Sequence, residues 1–433
     1  MRFIADLLYL LTGVIISPVV AYRMVRHKRY LSGWGQRFGK IKRKKPGQKC
    51  IWLHAVSVGE VNATKTLVKE FEDKLSDFEI VVSTTTDTGF GRATALFGAN
   101  HTVVYFPFDL SWIMQRAFGY IQPTICLLME LEVWPNFVET ANKLSIPVVV
   151  VNGRISDKSF GRYKIIKPIA RNIFRKLTVI LAQSEQYAGR FEKIGAEAEK
   201  VIVTGSLKYD TAQITDKIKG AYTLAAKLGI DDERLWVAGA TGPGEEKIIL
   251  DVFSRLKESK QLGDLRLVIV PRKPERFDEA ARLISEAGFD FVRYSSVKES
   301  NVPEPGKEAV ILGDTMGDLR KFYSLATIIF VGRSLVPMGG SDMAEAAALG
   351  KCTIFGPYAF NFKQTVDALL AEEGAIMVKD QQELLETMQK CLGEPDFARQ
   401  IARNGREVIR KNQGATTKTI EQIKKILSES PIF

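Results

Sequence analysis

Hydrophobic and polar positions alternate between two kinds of segment over most of the chain. Short apolar runs are separated by longer stretches in which apolar residues recur at helical spacing. Because strands that alternate with helices form parallel sheets covered by helices, the pattern predicts an α/β fold. The predicted strands fall into two series: 51–56, 79–83, 102–106, 125–129, 147–152 and 179–183, then 201–205, 235–239, 265–270, 309–312, 328–331 and 352–355.

The two series predict two doubly wound, Rossmann-like domains that face a cleft. The boundary is placed at the polar segment after Gly205, so that residues 50–207 form the first domain and residues 208–433 the second. A chain of 433 residues has room for two such cores. Ligands of such sheets bind beyond the carboxyl ends of the strands, so functional residues are expected there, with a nucleotide in the second domain.

An apolar stretch at residues 3–22 precedes these domains and has about the length that spans a bilayer. Asp6 and Pro18 interrupt it, so a helix that lies in the membrane interface is an alternative. A cleavable signal peptide fits less well, because the positive charge follows the apolar run instead of preceding it. Residues 1–25 are therefore predicted to be a membrane anchor.

The formal net charge of +11 is concentrated in one segment behind this anchor. Eleven Lys or Arg residues lie from Arg23 to Lys49, and they equal the whole excess of 61 basic over 50 acidic residues. A basic collar beside an apolar anchor is held on the cytoplasmic side and attracted to anionic lipid. Residues 26–49 are therefore predicted to be a basic juxtamembrane segment, and nucleic acid is not expected as a partner.

The cysteines indicate a reducing compartment. Four are scattered along the chain without a C-x-x-C motif, and only three histidines accompany them. Neither a disulfide framework nor a structural zinc site is expected from this pattern.

The stretch HAVSVGEV at 54–61 joins a predicted strand to a predicted helix. Ser57 stands three residues before Glu60, which is the S-x-x-E pattern of a capping box. Glu60 also lies at the carboxyl end of a strand, where parallel sheets bind ligands. The residues alone leave both interpretations open: a helix cap, or the base of an active site.

Two more carboxylates, Glu130 and Glu132, end a hydrophobic strand in the segment MELE. They would share one side if the strand continued. A salt-bridged structural role is the alternative, because uncompensated burial of charge is costly. Arg154 and Lys208, which follow later strands, are their natural cationic neighbours.

Loops after strands of the second series have the composition of a nucleotide site. Gly339 and Gly340 precede a predicted Ala-rich helix that carries Glu345 one turn in, where backbone amides could receive a phosphate and the carboxylate could bind sugar hydroxyls. A tight turn capped by Ser341 or Asp342 is the alternative. The chain has no G-x-x-x-x-G-K-[ST] loop and no Asp-x-Asp pair, and a nucleoside monophosphate leaving group would not require a metal.

Taken in order, these segments resemble the Kdo transferases, the 3-deoxy-D-manno-octulosonic acid transferases of lipopolysaccharide synthesis. The matching runs span most of the chain after the anchor, and the anchor and basic collar also fit that family. The runs are HAVSVGE (54–60), MELEVWPN (129–136), NGRIS (152–156), GSLKYD (205–210), VPRKPERF (270–277), GDTMGDL (313–319) and GPYAFNFK (356–363).

The resemblance implies a GT-B fold and the inverting transfer of Kdo from CMP-Kdo to lipid IV-A, the lipid A precursor, at the cytoplasmic face of the inner membrane. It implies neither a metal nor another cofactor. Glu60 falls on the family's catalytic carboxylate, while Glu130, Glu132, Arg154 and Lys208 fall on its acceptor side or support it. The residues assigned to the CMP-Kdo site are Pro271, Arg272, Thr315, Met316, Gly317, Gly339, Gly340 and Glu345.

One region differs from the family pattern. Arg333 stands where Gly is usual, and SDMAE at 341–345 replaces the usual His-Asn-Pro-Leu-Glu. A GT-B transferase for another nucleotide sugar is therefore one alternative. The others are a nucleotide-sugar epimerase or hydrolase of the same fold, and a membrane scaffold without catalysis in which Glu60 is only a cap.

The position of Glu60 at a helix amino terminus also carries an expectation for its chemistry. The helix dipole favours the charged carboxylate, so the pKa of Glu60 is expected to be low and its basicity weak. Such a base would act late, after positive charge has developed on the sugar carbon.

Overall fold

A computed structural model of the chain describes residues 2–27, 32–299 and 309–429. The chain divides into two compact units, Met1–Thr211 with Gln413–Phe433, and Ala212–Asn412. The return of the C-terminal segment to the first unit has no counterpart in the sequence prediction, which assigned residues 208–433 to one domain. Lys28 and Arg29 of the predicted basic segment lie outside the described residues.

The first unit is built on one sheet of seven parallel strands. These strands are β1 (Lys49–His54), β2 (Phe78–Thr84), β3 (Thr102–Tyr105), β4 (Ile125–Met129), β5 (Val148–Gly153), β6 (Val179–Ala182) and β7 (Val201–Val203). Their order in the sheet is β3-β2-β1-β4-β5-β6-β7. The helices are α1 (Arg2–His27), α2 (Trp34–Arg37), α3 (Val58–Ala63), α4 (Lys65–Lys74), α5 (Asp87–Phe97), α6 (Ser111–Ile121), α7 (Pro135–Lys143), α8 (Asp157–Ile165), α9 (Lys167–Phe174), α10 (Glu185–Ile194) and α11 (Leu207–Thr211), with a 3₁₀ turn at Ala198–Lys200.

The second unit has a sheet of the same kind. Its parallel strands are β8 (Leu235–Thr241), β9 (Arg266–Pro271), β10 (Phe291–Arg293), β11 (Val310–Leu312), β12 (Ile328–Val331), β13 (Cys352–Phe355) and β14 (Ile376–Met377), in the order β10-β11-β9-β8-β12-β13-β14. Its helices are α12 (Ala221–Lys227), α13 (Glu245–Lys257), α14 (Phe277–Glu286), α15 (Tyr294–Glu299), α16 (Leu319–Leu325), α17 (Ala344–Ala348), α18 (Lys363–Ala371), α19 (Gln381–Gly393) and α20 (Pro395–Asn412), with 3₁₀ turns at Lys260–Leu262, Pro274–Arg276 and Phe360–Phe362.

The last helix, α21 (Ala415–Glu429), packs on the first unit. Asp210 holds its start, because the carboxylate accepts the N–H groups of Gly414, at 2.7 Å, and Thr416, at 2.5 Å. The Thr66 hydroxyl on α4 lies 3.0 Å from that of Thr416. The apolar side of α21, which includes Ile423, is buried in the same core as β1 and β4.

The predicted α/β fold is confirmed, and each predicted strand is present with similar bounds. Residues 201–203 were placed at the head of the second series of strands, but they form β7 at the edge of the first sheet, where they pair with β6, in keeping with the predicted domain boundary after residue 207. The short edge strands β10 and β14 were not predicted. Strands of three and two residues are too short to leave a periodic pattern.

Helix α1 is tied to the first unit by the residue that interrupts its apolar pattern. The Asp6 carboxylate accepts the backbone N–H of Ser111 at 2.8 Å and the Asn136 side-chain N–H at 3.0 Å. Farther along, apolar side chains such as Val14 and Ile15 are largely exposed. By length and composition, the segment Tyr9–Arg26 is apolar enough to cross a membrane.

The basic collar is divided between the surface and the interior of the first unit. Arg37 and Arg43 are buried, whereas Lys40, Lys42 and Lys45 are exposed. The Arg37 guanidinium lies over the Tyr105 ring, 4.2 Å from its centroid, and the Arg43 guanidinium binds Glu79 near the start of β2. These two arginines therefore stabilise the fold, and the exposed lysines are the part of the collar that faces solvent.

The carboxylate of Glu79 on β2 fixes the collar to the sheet. It accepts Arg43 Nε–H at 2.9 Å, the backbone N–H groups of Lys44 and Lys45 at 3.0 Å each, and the Thr102 hydroxyl at 2.5 Å. Burial opposes the charge on Glu79, but the hydrogen bonds outweigh it and hold its pKa below the ordinary value. The buried charge is thus fully compensated.

We expect Glu79→Gln to lower the free energy of unfolding by about 3–5 kcal/mol, because the substitution leaves the Arg43 charge buried without its partner. Urea unfolding followed by circular dichroism measures the change.

Asp77→Asn is the matched control, since its exposed pair with Lys49 has a 3.7 Å Nζ–Oδ2 distance and should contribute at most about 1 kcal/mol. Equal losses for the two variants would contradict the structural role of the Glu79 pair.

Candidate functional site

Glu60 is held in the turn between β1 and α3 by a reciprocal cap. Ser57 is the N-cap of α3, and its Oγ accepts the Glu60 N–H at 3.3 Å. In return, Glu60 Oε2 accepts the Val56 N–H and Oε1 accepts the Ser57 hydroxyl, both at 2.9 Å. The capping interpretation is therefore confirmed by geometry. It does not exclude the catalytic one, because each carboxylate oxygen keeps a further lone pair and the side chain is only half-buried.

The proton affinity of Glu60 is higher than its helix position suggests. Burial raises the pKa of Glu60 above the ordinary value, and the negative charge of Glu130 raises it further, while hydrogen bonds from Val56 and Ser57 lower it. The expectation of a low pKa was wrong, because loss of water around the carboxylate outweighs the dipole of a six-residue helix. Glu60 is consequently a stronger base than a solvent-exposed glutamate.

Glu130 and Glu132 lie near Glu60, on a turn that follows β4. Strand β4 ends at Met129, and Glu130 has a left-handed backbone with φ 52°, so the strand alternation assumed from the sequence does not continue. Lys208 Nζ lies 3.7 Å from Glu130 Oε1. Since Glu60 and Glu132 also influence each other electrostatically, the structure brings three carboxylates and one ammonium group together.

The carboxyl of Glu132 is the one most strongly shifted towards its neutral form. Burial, then the negative charges of Glu60 and Glu130, raise the pKa of Glu132 to about 7, against the lowering effect of a hydrogen bond from Trp134. That bond runs from the indole N–H to Glu132 Oε2 at 3.0 Å. His54 Nε2 lies 4.0 Å from the same oxygen.

Lys208 owes its position to a strained residue at the end of β5. Asn152 has a left-handed backbone with φ 56°, a conformation that Asn tolerates better than most residues. Its Oδ1 accepts the Leu207 N–H at 3.0 Å, which fixes the start of α11 and therefore Lys208. The sequence analysis named Arg154 of the NGRIS segment as a cationic neighbour of the glutamates and assigned no role to Asn152.

Arg154 is not paired with the glutamates as the sequence suggested. Within the described part of the chain no ion pair joins it to Glu130 or Glu132, and its buried Nε has no hydrogen-bond partner. The positive charge at the end of β5 is thus not neutralised by these acids.

In the second unit, two residues that were predicted to bind the sugar donor, Arg272 and Glu345, influence the buried hydroxyl of Tyr323. Tyr323 is 1% exposed; burial raises the pKa of its hydroxyl, the charges of Glu345 and Asp342 raise it further, and that of Arg272 lowers it. Arg272 directly follows Pro271, the last residue of β9, and its N–H donates to Thr241 O at 3.1 Å. Arg272 and Glu345 therefore both lie within electrostatic reach of Tyr323, which the sequence could not establish.

Glu245, which the sequence analysis missed, occupies the amides that follow β12. Its carboxylate accepts the N–H groups of Gly242 (2.8 Å), Arg333 (2.5 Å), Ser334 (2.8 Å) and Leu335 (2.9 Å). A phosphate cannot use these amides while Glu245 holds them. The signal was present in the glycine-rich turn after β8, where a glutamate begins α13.

Gly339 and Gly340 shape the rest of this loop. Their φ values are 90° and 80°, and a Cβ on Gly339 would lie 2.0 Å from Asn361 Nδ2. The Gly340 N–H donates to Arg333 O at 2.8 Å, so it is not free for a phosphate. The structural contribution of the two glycines is a backbone conformation that other residues would not adopt.

Arg333 and Asp342 mark the region that differs from the family pattern. Arg333 has φ 61°, a left-handed backbone that costs a non-glycine residue about 1–2 kcal/mol. Its Nη2 donates to Met338 O at 3.1 Å, which adds a contact that Gly lacks. Asp342 Oδ1 accepts the Ala344 N–H at 3.0 Å, but the N-cap residue of α17 is Met343, so the alternative of an N-cap at Ser341 or Asp342 was wrong.

The loop that follows β11 contains three residues that were predicted to bind the CMP-Kdo donor. Thr315 Oγ1 donates to Asp318 Oδ2 at 2.7 Å, Met316 is 64% exposed, and Gly317 has φ 90°. The loop therefore presents one apolar side chain to solvent from a fixed turn. Across residues 2–27, 32–299 and 309–429, no group of three or more His, Cys, Asp or Glu side chains is arranged to hold a metal.

Comparisons with known proteins agree on one family. Residues 32–211 match the family described as 3-deoxy-D-manno-octulosonic-acid transferase (kdotransferase). The chain is 31% identical over 431 residues to a 3-deoxy-D-manno-octulosonic acid transferase of Haemophilus influenzae, with 99% of each chain covered. It is 29% identical over 422 residues to one of Bordetella pertussis, covering 94% of this chain and 96% of the relative.

A solved structure supports the fold. The UDP-GlcNAc 2-epimerase of Neisseria meningitidis bound to UDP-GlcNAc matches 87% of this chain and 100% of its own, with a TM-score of 0.55. At 15% identity this likeness concerns architecture alone.

We expect Glu132→Gln to raise the free energy of unfolding by about 1–3 kcal/mol at pH 8 and to leave it nearly unchanged at pH 5. The folded protein favours protonated Glu132, so the stability that this proton contributes is fully present below the pKa of an unfolded-state glutamate. It is lost as the pH rises towards about 7. Gln cannot ionise and avoids that loss. Urea unfolding of both proteins at the two pH values measures the difference, and an equal effect at pH 5 and pH 8 would contradict a raised pKa.

Proposed function

Because the chain belongs to the 3-deoxy-D-manno-octulosonic acid (Kdo) transferase family, we propose that it moves Kdo from CMP-Kdo to lipid IV-A, with inversion and without a metal. The observation that carries this proposal is the geometry of Glu60. Its carboxylate is oriented by a reciprocal cap, half-buried, and raised in pKa by burial and by Glu130. General bases work best when their pKa approaches the working pH.

Glu60 is the base in the proposed reaction. It takes the proton of the acceptor hydroxyl while the hydroxyl oxygen forms a bond to the anomeric carbon of Kdo. The bond between that carbon and the phosphate oxygen of CMP breaks on the opposite face, and its electron pair leaves with CMP. Attack opposite to the leaving group inverts the anomeric configuration.

Cations balance the anionic substrates in this scheme. Lys208, beside Glu130, and Arg154, whose charge the neighbouring glutamates leave unneutralised, would bind acceptor phosphates or the Kdo carboxylate. In the second unit, exposed Arg272 would bind the CMP phosphate, and Glu345 would accept hydrogen bonds from ribose or sugar hydroxyls. Met316, Gly317 and the two glycines of the β12–α17 loop would enclose the nucleotide.

We assign the protein to the cytoplasmic side of the inner membrane. Helix α1 exposes apolar residues and is fixed to the first unit by Asp6. The exposed lysines of the collar follow it in the chain, where they can meet anionic lipid. Since lipid IV-A is itself a membrane lipid, this placement brings the enzyme to its acceptor.

An exposed aromatic cluster supports the same placement. It consists of Trp34, Phe38, Phe108 and Trp112, each 38–46% exposed, whose neighbouring ring centroids lie 5.6–6.4 Å apart. The Arg116 guanidinium lies 5.5 Å from the Trp112 ring. Aromatic rings with basic neighbours are typical of the membrane interface. The cluster is close to the α1 attachment, because Trp112 directly follows the residue that binds Asp6.

We expect Glu60→Gln to lower the initial rate of Kdo transfer by at least about 100-fold, the usual contribution of a general base. Product mass spectrometry with CMP-Kdo and a tetra-acylated disaccharide bisphosphate measures the transfer and the number of Kdo residues added.

The chain offers a matched control in a second capping box. Asp380 caps α19 by accepting the Glu383 N–H at 2.9 Å, and Glu383 Oε2 accepts the Lys379 N–H at 2.6 Å. Glu383→Gln changes the same kind of cap in the second unit, and we expect its transfer rate to equal that of the wild type. A folded Glu60→Gln protein with undiminished transfer would refute the role of Glu60 as base. A wild-type protein that transfers no Kdo, beside an active relative, would refute the donor assignment.

We expect Trp112→Ser to weaken binding to anionic vesicles by about tenfold, because an aromatic side chain returned to water costs about 1.5–3 kcal/mol. Vesicle cosedimentation of the full chain measures the change. Tyr222→Ser is the control, since Tyr222 is a 69% exposed aromatic residue of the second unit. Equal binding of the Trp112 variant and the wild type would contradict a contact between the cluster and the membrane.

A further inference from the structure

The imidazole of His54, at the end of β1, is fixed in one tautomer by its surroundings. The ring is fully buried and stacks on Phe106, with centroids 3.8 Å apart. His54 Nδ1 lies 3.0 Å from both the carbonyl oxygen and the hydroxyl of Ser83, and that hydroxyl accepts the Trp52 indole N–H. A hydroxyl can donate or accept, but a carbonyl oxygen can only accept, so the contact with the Ser83 carbonyl favours the tautomer in which Nδ1 carries the proton and donates it to Ser83.

The other ring nitrogen is therefore a bare acceptor in a dry place. Burial lowers the pKa of His54 to about 3, so the ring is neutral and Nε2 has no proton. Nε2 has no hydrogen-bond partner among the residues that the structure describes. The atom it faces is Glu132 Oε2, 4.0 Å away. A buried acceptor without a donor is costly, and an ionised carboxylate beside it has no proton to offer.

We propose that Glu132 carries a proton that it donates to His54 Nε2, so that His54 keeps Glu132 neutral and leaves Glu60 as the ionised base of the site. A rotation of the carboxyl group that shortens the 4.0 Å separation by about 1 Å completes the hydrogen bond. The Trp134 indole N–H continues to donate to the same carboxyl group.

The charges around Glu132 favour this assignment of the proton. Glu60 faces it from α3, Glu130 from its own turn and Tyr163 from α8. Lys208 offsets the charge of Glu130. The negative charge of Glu60 then raises the pKa of Glu132, so the second carboxyl group ionises only at higher pH. Glu60 accepts hydrogen bonds that favour its charged form, whereas Glu132 faces an acceptor that favours its neutral form.

The consequence for transfer rests on the proposed function. No bond forms or breaks at Glu132, and its proton stays in place while the acceptor proton moves to Glu60. His54 is thus a positioning residue that acts through Glu132. A neutral group beside the base also repels the anionic donor less than a third charge would.

The tautomer is tested first and without substrate. The chain has three histidines, so ¹⁵N-histidine labelling of the whole protein gives a small set of ring signals, and loss of one set in His54→Asn assigns it. We expect a protonated Nδ1 and an unprotonated Nε2 that do not change between pH 5 and pH 8. An Nε2–H tautomer or an imidazolium in this range would overturn the proposal.

The proton on Glu132 is tested by the dependence of kcat on pH. In the wild type, kcat should rise as Glu60 ionises and fall as the pH passes about 7, where Glu132 loses its proton. In Glu132→Gln, which retains an N–H donor for His54, we expect a maximal kcat lowered about tenfold but no fall on the alkaline side. A variant as inactive as Glu60→Gln at every pH would overturn the proposal, as would a wild-type kcat that keeps rising above pH 7.

His54→Asn separates positioning from a merely structural effect. Asn retains a donor for Ser83 but has no acceptor at the place of Nε2, so neutral Glu132 loses its stabilisation and its pKa falls. We expect the alkaline fall of kcat to move to lower pH in this variant and to be absent in the double variant with Glu132→Gln. An unshifted profile would overturn the role of His54. If the wild type transferred no Kdo, the proposed function would fail, while the ¹⁵N spectra would still decide the tautomer.

Discussion

The electrostatic repulsion among three carboxylates at the ends of β1 and β4 is the constraint on which the first unit's chemistry depends. Parallel pairing of these strands brings Glu60, Glu130 and Glu132 to one edge of the sheet. Each side chain has a different environment. Glu60 accepts hydrogen bonds from Val56 and Ser57, Glu130 pairs with Lys208, and Glu132 is largely shielded from water near the imidazole of His54. One residue type is thus found in three electrostatic environments: hydrogen-bonded, paired with an ammonium group, and buried.

The same sheet also holds part of the basic segment in the interior of the first unit. Glu79, on the strand beside β1, takes Arg43 into the interior, and the collar is thereby fixed to the first unit. The lysines that stay exposed follow α1, which Asp6 attaches to the same unit. Asp6 and Glu79 thus tie the apolar N-terminal helix and the basic segment to the unit that carries Glu60.

In the second unit, the loop after β12 was expected to offer free backbone amides to a phosphate. The carboxylate of Glu245 accepts three of these amides instead. Glu245 satisfies consecutive amides after β12, and the glycines beyond them serve the course of the backbone. Arg272 and Glu345 both act on the buried hydroxyl of Tyr323, the first lowering and the second raising its pKa. The left-handed backbone of Arg333 is one that glycine adopts without steric cost.

The sequence by itself determined the strands, the α/β class, the family and the capping box at Glu60. The spacing of hydrophobic residues and the local motifs that indicate them each depend on a few consecutive residues. Only the tertiary structure decided that residues 201–203 close the first sheet, that α21 returns to it, and that His54 faces Glu132. It also reversed the expected pKa of Glu60. Burial and Coulomb interaction depend on distances between residues remote in the chain, and folding alone sets those distances.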